Sequence, residues 1–317
     1  MMNRVSRIKN LKNGLCVSLF LILTGASLAR PAESGTYNHL RNQDQKTYRI
    51  AMSAAFVSQD GMKDYKRWCN WLAKKTGAKF EFIEGLGYEE ISAMMADGAV
   101  DLGFICGYPY VLLRDRPNPS VELLAAPIPS GKKYADKPQY FSELIVRKGS
   151  PYHSLGDLRG RTYVFNEETS NSGYIMARYR MKDKTNGFFH QVLRSGSHEE
   201  SIRMVASGQA DASFVDSLVL DYEKSISTAE SKNVTVIERV GPAGIVPLVV
   251  STKIPTDLRK KWKEAVIHMH DDPEGKAILA SMYLKRFEAV ADSNYDNIRR
   301  MNTAAIKGGF TKIQAGG

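Results

Sequence analysis

The sequence predicts an α/β protein of two lobes, each a mostly parallel sheet flanked by helices, with a hinge between them. Three observations carry that expectation. Hydrophobic periodicity alternates along the chain between the two-residue repeat of strands and the 3.6-residue repeat of helices. One strand–turn–helix–glycine–strand unit occurs twice, about 110 residues apart. The 317 residues, 43% apolar and 25% charged, give enough chain to bury a sizeable core in the composition range of globular proteins.

The first 29 residues stand apart. Arg4, Arg7, Lys9 and Lys12 form a basic stretch with no acidic residue, and Leu15 to Leu28 is an apolar run that is short for a membrane span. Ser27 and Ala29 then supply small residues at the −3 and −1 positions. This is the pattern of a secretory signal peptide cut after Ala29, with an uncleaved anchor as the alternative. Losing those four basic residues lowers the net charge from +10 to +6. A mildly basic exported protein favours a small anionic ligand or an anionic surface. No basic run, zinc-finger spacing or aromatic–basic ladder points to nucleic acid. Cys69 and Cys106 remain after cleavage and are expected as two buried thiols, a single bridge being the other possibility.

Residues 30–46 are a polar leader. Tyr48 to Met52 is the first strand, and Ser53, where it gives way to a loop, is a candidate ligand-binding residue. Met62, Tyr65, Trp68, Cys69 and Leu72 fall on one helical face, which Gly77 ends. A strand follows over 79–84. Then comes the first repeat unit, a helix from Tyr88, a stop at Gly98 and a strand ending at Ile105; the second runs from His198 through Gly208 to Val215. The two share Glu-Glu, Met, Ala, Gly, Asp and Phe without a gap. A period this long is beyond any solenoid and fits two lobes on one plan. The return crossing is expected at Gly241 to Pro247, followed by a strand at Leu248 to Ser251 and terminal helices over 259–270 and 274–286. The resulting organisation is a discontinuous first lobe, 47–148 plus 241–317, and an inserted second lobe, 149–240.

Alternating strands and helices place ligands at the carboxyl ends of strands, where helix N-termini offer unpaired N–H groups and partial positive charge. Tyr88 and His198 each occupy such a place. So does Ser170-Asn171-Ser172-Gly173 after the strand ending at Phe165, where short hydroxyls and a glycine leave room for an oxyanion; the same residues would also serve as ordinary caps. Asp216 follows a strand and could accept from a protonated oxyanion or an amino group. Tyr108 and Tyr140 are candidate cleft walls, though core packing is the commoner use of aromatics. Scattered histidines form no zinc spacing, and no nucleophile elbow, Walker loop or dinucleotide fingerprint occurs, so neither metal nor cofactor is expected.

These residues resemble the phosphate/phosphite/phosphonate solute-binding proteins of ABC importers. The resemblance is carried by 140–151, by Ser170-Asn171-Ser172-Gly173-Tyr174, by Ser195 to Glu199 and by 205–217, and it covers roughly 48–287. It implies a type II periplasmic-binding fold that closes on its ligand. It also implies that Ser170, Asn171, Ser172 and Gly173 grip the phosphonyl oxygens with help from His198, that Tyr88 is a cleft tyrosine, and that an ABC permease is the partner of a monomeric periplasmic receptor. Asn171 departs from the threonine many phosphonate binders carry. Two further functions suit such a chain: a solute sensor docking on a membrane kinase, or an enzyme acting on a small anion.

Overall fold

The computed structural model describes residues 46–53, 59–184 and 187–315. The signal segment and nearly all of the leader lie outside them. None of the described helices is long and apolar enough to cross a membrane.

The chain opens with β1 (Thr47–Ser53), α1 (Gln59–Thr76), β2 (Lys79–Leu86), α2 (Tyr88–Asp97), β3 (Leu102–Phe104), α3 (Gly107–Arg114) and β4 (Val121–Pro129). It then passes to β5 (Gln139–Arg147), β6 (Thr162–Phe165), a π-helical turn over Asn171–Ile175 running into α4 (Met176–Arg180), and β7 (Gln191–Arg194). The second half continues with α5 (His198–Ser207), β8 (Ala212–Asp216), α6 (Ser217–Ser225), α7 (Ala229–Lys232) and β9 (Val234–Gly244). The return brings β10 (Leu248–Ser251), α8 (Thr256–Ile267), α9 (Pro273–Ser281), β11 (Leu284–Glu288) and α10 (Asp296–Lys307).

Two sheets result, ordered β11-β4-β10-β3-β1-β2 and β7-β6-β8-β5-β9. The repeat is visible in both. β2 and β3 flank β1 in parallel, and β7 and β8 flank β6 in parallel. Within each unit the shared residues do the same work. Gly98 and Gly208 end their helices in the left-handed region, φ 74° and 80°, where a glycine is free of Cβ strain. Asp101 Oδ2 accepts from the Arg49 amide at 2.8 Å, and Asp211 Oδ2 accepts from the Thr162 amide at 2.9 Å. The repeated aspartate therefore stitches the loop before one strand to the start of its neighbour.

Four of the six strands in the first sheet and four of the five in the second run the same way, with antiparallel strands set among them. β10 runs against both of its neighbours, β3 and β4, as β5 runs against β8 and β9. These are the strands beside the crossings between sheets, and a strand arriving without a helical crossover is free to run the other way. For the same reason β5, expected at the end of the first lobe, pairs with β8 and β9 in the second sheet. The crossings are residues 130–138 and 245–247, since 241–244 still belong to β9. The expected last helix ends early, and 284–288 form β11 against β4.

Successive residues of β1 are buried on opposite faces: Ile50 and Met52 pack with Trp68 and Leu72, whereas Ala51 packs with Ile91 and Met95. A strand covered on both faces reads as continuous apolar sequence, as Tyr48 to Met52 does. Cys69 and Cys106 are both buried free thiols.

Candidate functional site

The carboxyl ends of β6 and β8 and the helix starts that follow them converge on His198. The imidazole is 1% exposed and belongs to the first turn of α5, which Ser197 caps by accepting from the Glu200 amide. Its Nε2 lies 3.4 Å from Ser170 Oγ, 3.3 Å from Ser172 Oγ and 3.2 Å from Asn166 Nδ2. Its Nδ1 accepts from the Asp216 amide at 3.3 Å. Burial pulls the His198 pKa down to about 3, so the ring is neutral. An Nδ1 that accepts leaves the proton on Nε2. Nε2–H is therefore a donor aimed at the Ser170–Ser172 hydroxyls. A donor there also calls for the Asn166 amide oxygen rather than its NH2, and that oxygen has no other partner.

Ser170 N-caps the π-helical turn by accepting from the Gly173 amide at 3.1 Å. The capping reading of this residue is thus correct in the structure, and it coexists with the contact to His198. Ser172 Oγ donates to Asp216 Oδ2 at 3.3 Å, while Ser142 Oγ fixes the turn by donating to the Ser172 carbonyl at 2.7 Å. Gly173 is there because nothing larger fits: a Cβ would sit 2.0 Å from Asn166 Oδ1 and 3.1 Å from His198 Cε1. Asn171 turns its side chain inward, donating to Tyr140 Oη at 2.8 Å, so Tyr140 supports the turn from beneath.

Asp216 is 1% exposed and ends β8. Its Oδ1 accepts from the Leu218 amide at 2.7 Å and so caps α6. Burial, the largest influence, pushes its pKa up to about 7, against the pull of its hydrogen bonds. Near neutral pH it therefore exchanges between a carboxylate acceptor and an acid that donates.

The first lobe meets this cluster at two points. α2 begins at Gly87 without a side-chain cap, and the Tyr88 amide donates instead to Glu167 Oε2 of the second lobe at 3.0 Å. The Asn171 amide, at the start of the π-helical turn, donates to Cys106 Sγ at 3.2 Å. Burial pushes the Cys106 thiol up to about 11, so it remains protonated, and Glu167 is also raised by burial. The Tyr88 hydroxyl and the Asn171 amide oxygen are buried with no hydrogen-bond partner.

The structure thus gathers Ser170, Asn171, Ser172, Gly173, His198, Asp216 and Tyr140, with Tyr88 beside them. Ser53 is buried at the end of β1 and donates to the Leu86 carbonyl at 3.3 Å, a contact within the first sheet. Tyr108 does not join: it lines an outer groove with Leu112 and Arg299, because α3 starts at Gly107 and turns it away. Cys106, two residues earlier, faces the cleft in its place. Asn166, Glu167 and Cys106 were missed; each ends or follows a strand, the signal that did find Asp216. Among the described residues no group of three His, Cys, Asp or Glu side chains is placed to hold a metal.

Two lobes on one plan, with a helix start and neutral donors turned into the space between them, define a solute receptor of the periplasmic-binding type. The chain belongs to the phosphonate periplasmic substrate-binding proteins of ABC transporters, whose family model matches residues 50–295. It is 25% identical over 264 residues to the phosphonates-binding periplasmic protein of Escherichia coli K12, covering 79% of this chain and 75% of that one. It is 26% identical over 193 residues to the phosphate-import protein PhnD of Mycolicibacterium smegmatis, covering 56% and 57%. Among solved structures, the binding component of a Pseudomonas aeruginosa ABC phosphonate transporter superposes with a TM-score of 0.76 at 20% identity, covering 84% and 88% of the two chains. PhnD1 of Prochlorococcus marinus in complex with methylphosphonate gives 0.73 at 19% identity, covering 83% and 99%. At those identities the structures speak to the fold.

Proposed function

We propose that the cleft binds the oxyanion head of a phosphonate, or of phosphite or phosphate, and that the protein delivers it as a monomer to an ABC permease. The observation that carries this is the grouping of Ser170, Ser172, His198 and Asp216 within hydrogen-bond reach at the start of the π-helical turn. All four are buried, and buried polar groups with few partners need an acceptor that can take several short bonds at once. A tetrahedral oxyanion is that acceptor. His198 Nε2–H and both serine hydroxyls would donate, and the protonated form of Asp216 would meet one further oxygen. The Tyr88 hydroxyl, without a partner in the protein, would gain one in the bound oxyanion.

His198 carries its ring proton on Nε2, toward both serine hydroxyls, so it is placed as a donor to a bound oxyanion and not as a base for either serine. That supports a receptor over an enzyme. The chain is proposed to be exported, with its signal segment removed near Ala29, and to hinge at 130–138 and 245–247 between the two lobes. Calorimetric titration with methylphosphonate, phosphite, phosphate and sulfate is the test. Saturable one-to-one binding of a phosphorus oxyanion is expected; binding of none of them would overturn the reading. N-terminal sequencing of exported protein should begin near Arg30.

A further inference from the structure

The end of the chain ties three parts of the molecule together. The short turn Asp292–Tyr295 and the start of α10 fasten both crossings between the sheets. Asn294 Nδ2 donates to the Pro138 carbonyl at 3.2 Å, and Tyr295 Oη donates to the Ile245 carbonyl at 3.0 Å. Asn297 Nδ2 adds a bond of 2.7 Å to the Pro242 carbonyl near the end of β9. The same stretch is tied to α3, where Tyr110 Oη donates to Asp292 Oδ1 at 2.5 Å and Arg299 Nε donates to Asp115 Oδ2 at 2.9 Å. Beyond α10 the chain lies against the second sheet. Phe310 and Ile313 are buried in one cluster with Tyr174, Ile175 and Met181, and Ala315 forms a parallel bridge with Phe189.

This last contact surface reaches the oxyanion turn. The Ile313 amide donates to Tyr174 Oη at 3.2 Å. Tyr174 follows Gly173 within the π-helical turn, and α4 continues that turn. From α4, Arg178 donates through Nε to the Phe310 carbonyl at 3.1 Å and through Nη1 to Asn302 Oδ1 at 3.4 Å. Arg178 is 6% exposed, and among the described residues no carboxylate pairs with it. A buried guanidinium without a counter-ion depends on its neutral acceptors, and both of these come from the C-terminal segment. The turn itself closes through a bond from the Ile175 amide to the Ser170 carbonyl at 3.0 Å. That i to i+5 geometry is rare, so its surroundings must hold it. Ser142 and Tyr163 do so from the second sheet, donating to the Ser172 and Gly173 carbonyls; Ile313 does so from the chain end.

We infer that Asp292 to Ala315 is a positioning strap for the oxyanion turn, joining the crossings and α3 to Tyr174 and Arg178, so that docking of the strap and binding of the anion strengthen each other. The inference rests on the oxyanion reading above and adds a control that acts from outside the cleft. Tyr174 and Arg178 are positioning residues: they act on the backbone that carries Ser170 and Ser172. A turn already held in its binding geometry needs less ordering when the ligand arrives. Coupling of this kind is reciprocal. The factor by which the docked strap raises affinity is the factor by which the ligand favours the docked strap.

The experiment pairs calorimetric titration with hydrogen exchange, using methylphosphonate and inorganic phosphate as probes. Tyr174→Phe keeps the ring and removes the acceptor of the Ile313 amide; it should weaken binding about fivefold, the loss of one neutral hydrogen bond. Removing residues 308–317, which also takes the Phe310 carbonyl from Arg178, should weaken it further. In the unmodified protein, saturation with the tighter-binding probe should slow exchange of amides 310–315 by about the same fivefold relative to those of α8. Tyr174→Phe should remove most of that slowing. A segment that only stabilises the fold would lower the melting temperature when altered, yet leave affinity and the ligand dependence of its exchange unchanged. That result would overturn the strap and leave the oxyanion site standing. The exchange measurement needs no variant, so it decides the matter even where the shortened chain does not fold. Binding of neither probe would overturn both readings.

Discussion

At the scale of single residues, the proposed site combines donors that carry no net charge. His198 is neutral, and the serine hydroxyls share its Nε2–H. Hydrogen bonds to a charged ligand contribute about 1.5–3 kcal/mol each. Ser172→Ala should therefore weaken oxyanion binding about tenfold or more in calorimetric titration, with unfolding of the ligand-free protein changed by ~1 kcal/mol or less. His198→Ala should differ. It strips the partner from the buried Asp216 amide, so a fold-stability loss of about 1–3 kcal/mol is expected alongside weaker binding. Gly173→Ala should abolish tight binding, since the added carbon collides with Asn166 and crowds His198.

If Asp216 meets the oxyanion as proposed, binding should depend on pH. Its pKa is pushed up to about 7 by burial, so ionisation above neutrality places a carboxylate against the oxyanion. Affinity for methylphosphonate should fall by up to about tenfold per pH unit above 7. Asp216→Asn, which offers a fixed NH2 donor, should remove that fall; an identical profile in the two proteins would exclude Asp216 as the titrating group. For stability the signs oppose. The raised Asp216 stabilises the fold most at acid pH, below the ordinary carboxylate pKa near 4, and that contribution is lost as pH rises through about 7. The depressed His198 contributes fully above its ordinary value near 6.5, and its contribution drains away as pH falls toward 3.

At the scale of elements, the repeat makes a prediction in duplicate. Gly98 and Gly208 close α2 and α5 with left-handed backbones. Alanine at either should cost about 1 kcal/mol in chemical unfolding. The two helices differ at their other ends. Ser197 caps α5 within its own lobe, whereas at the start of α2 Glu90 accepts from the Gly87 amide and Glu167 reaches across from the other lobe to accept from the Tyr88 amide. A cap formed only in the closed arrangement favours closure. Glu167→Ala should therefore lower ligand affinity about fivefold, the equivalent of ~1 kcal/mol for a lost cap. The Ser172 contacts remain in place, so unchanged affinity would show that the contact does not contribute to closure.

For the whole molecule, ligand and closure are linked by mass action. At a hundred times the dissociation constant, binding should stabilise the fold by ~2.7 kcal/mol. A chain of this size should then melt roughly 5–10 °C higher, and phosphorus oxyanions but not uncharged solutes should produce the shift. The crossing at 130–138 is fastened to the second lobe: Lys133 donates to Glu143 at 2.9 Å and to Asp221 at 2.8 Å, and Tyr134 donates to Asp221 at 2.7 Å. In the proposed hinge motion, bending at this crossing would fall outside that anchor.

What the sequence by itself determined is whatever depends on local pattern and on residue chemistry at strand ends. Periodicity and glycine stops were enough for the alternating α/β plan, the two repeat units and the helix start at Ser170–Gly173, because each is specified by residues close in the chain. Serine, histidine and aspartate at such ends were legible as candidate anion contacts for the same reason. Tertiary structure alone decided which sheet β5 joins and that both sheets are mixed, since strand pairing is settled by partners about 70 and 100 residues away. It also decided that Cys106 and Glu167 face the cleft while Tyr108 turns out of it. Those outcomes depend on the packing of one lobe against the other, which no local pattern encodes.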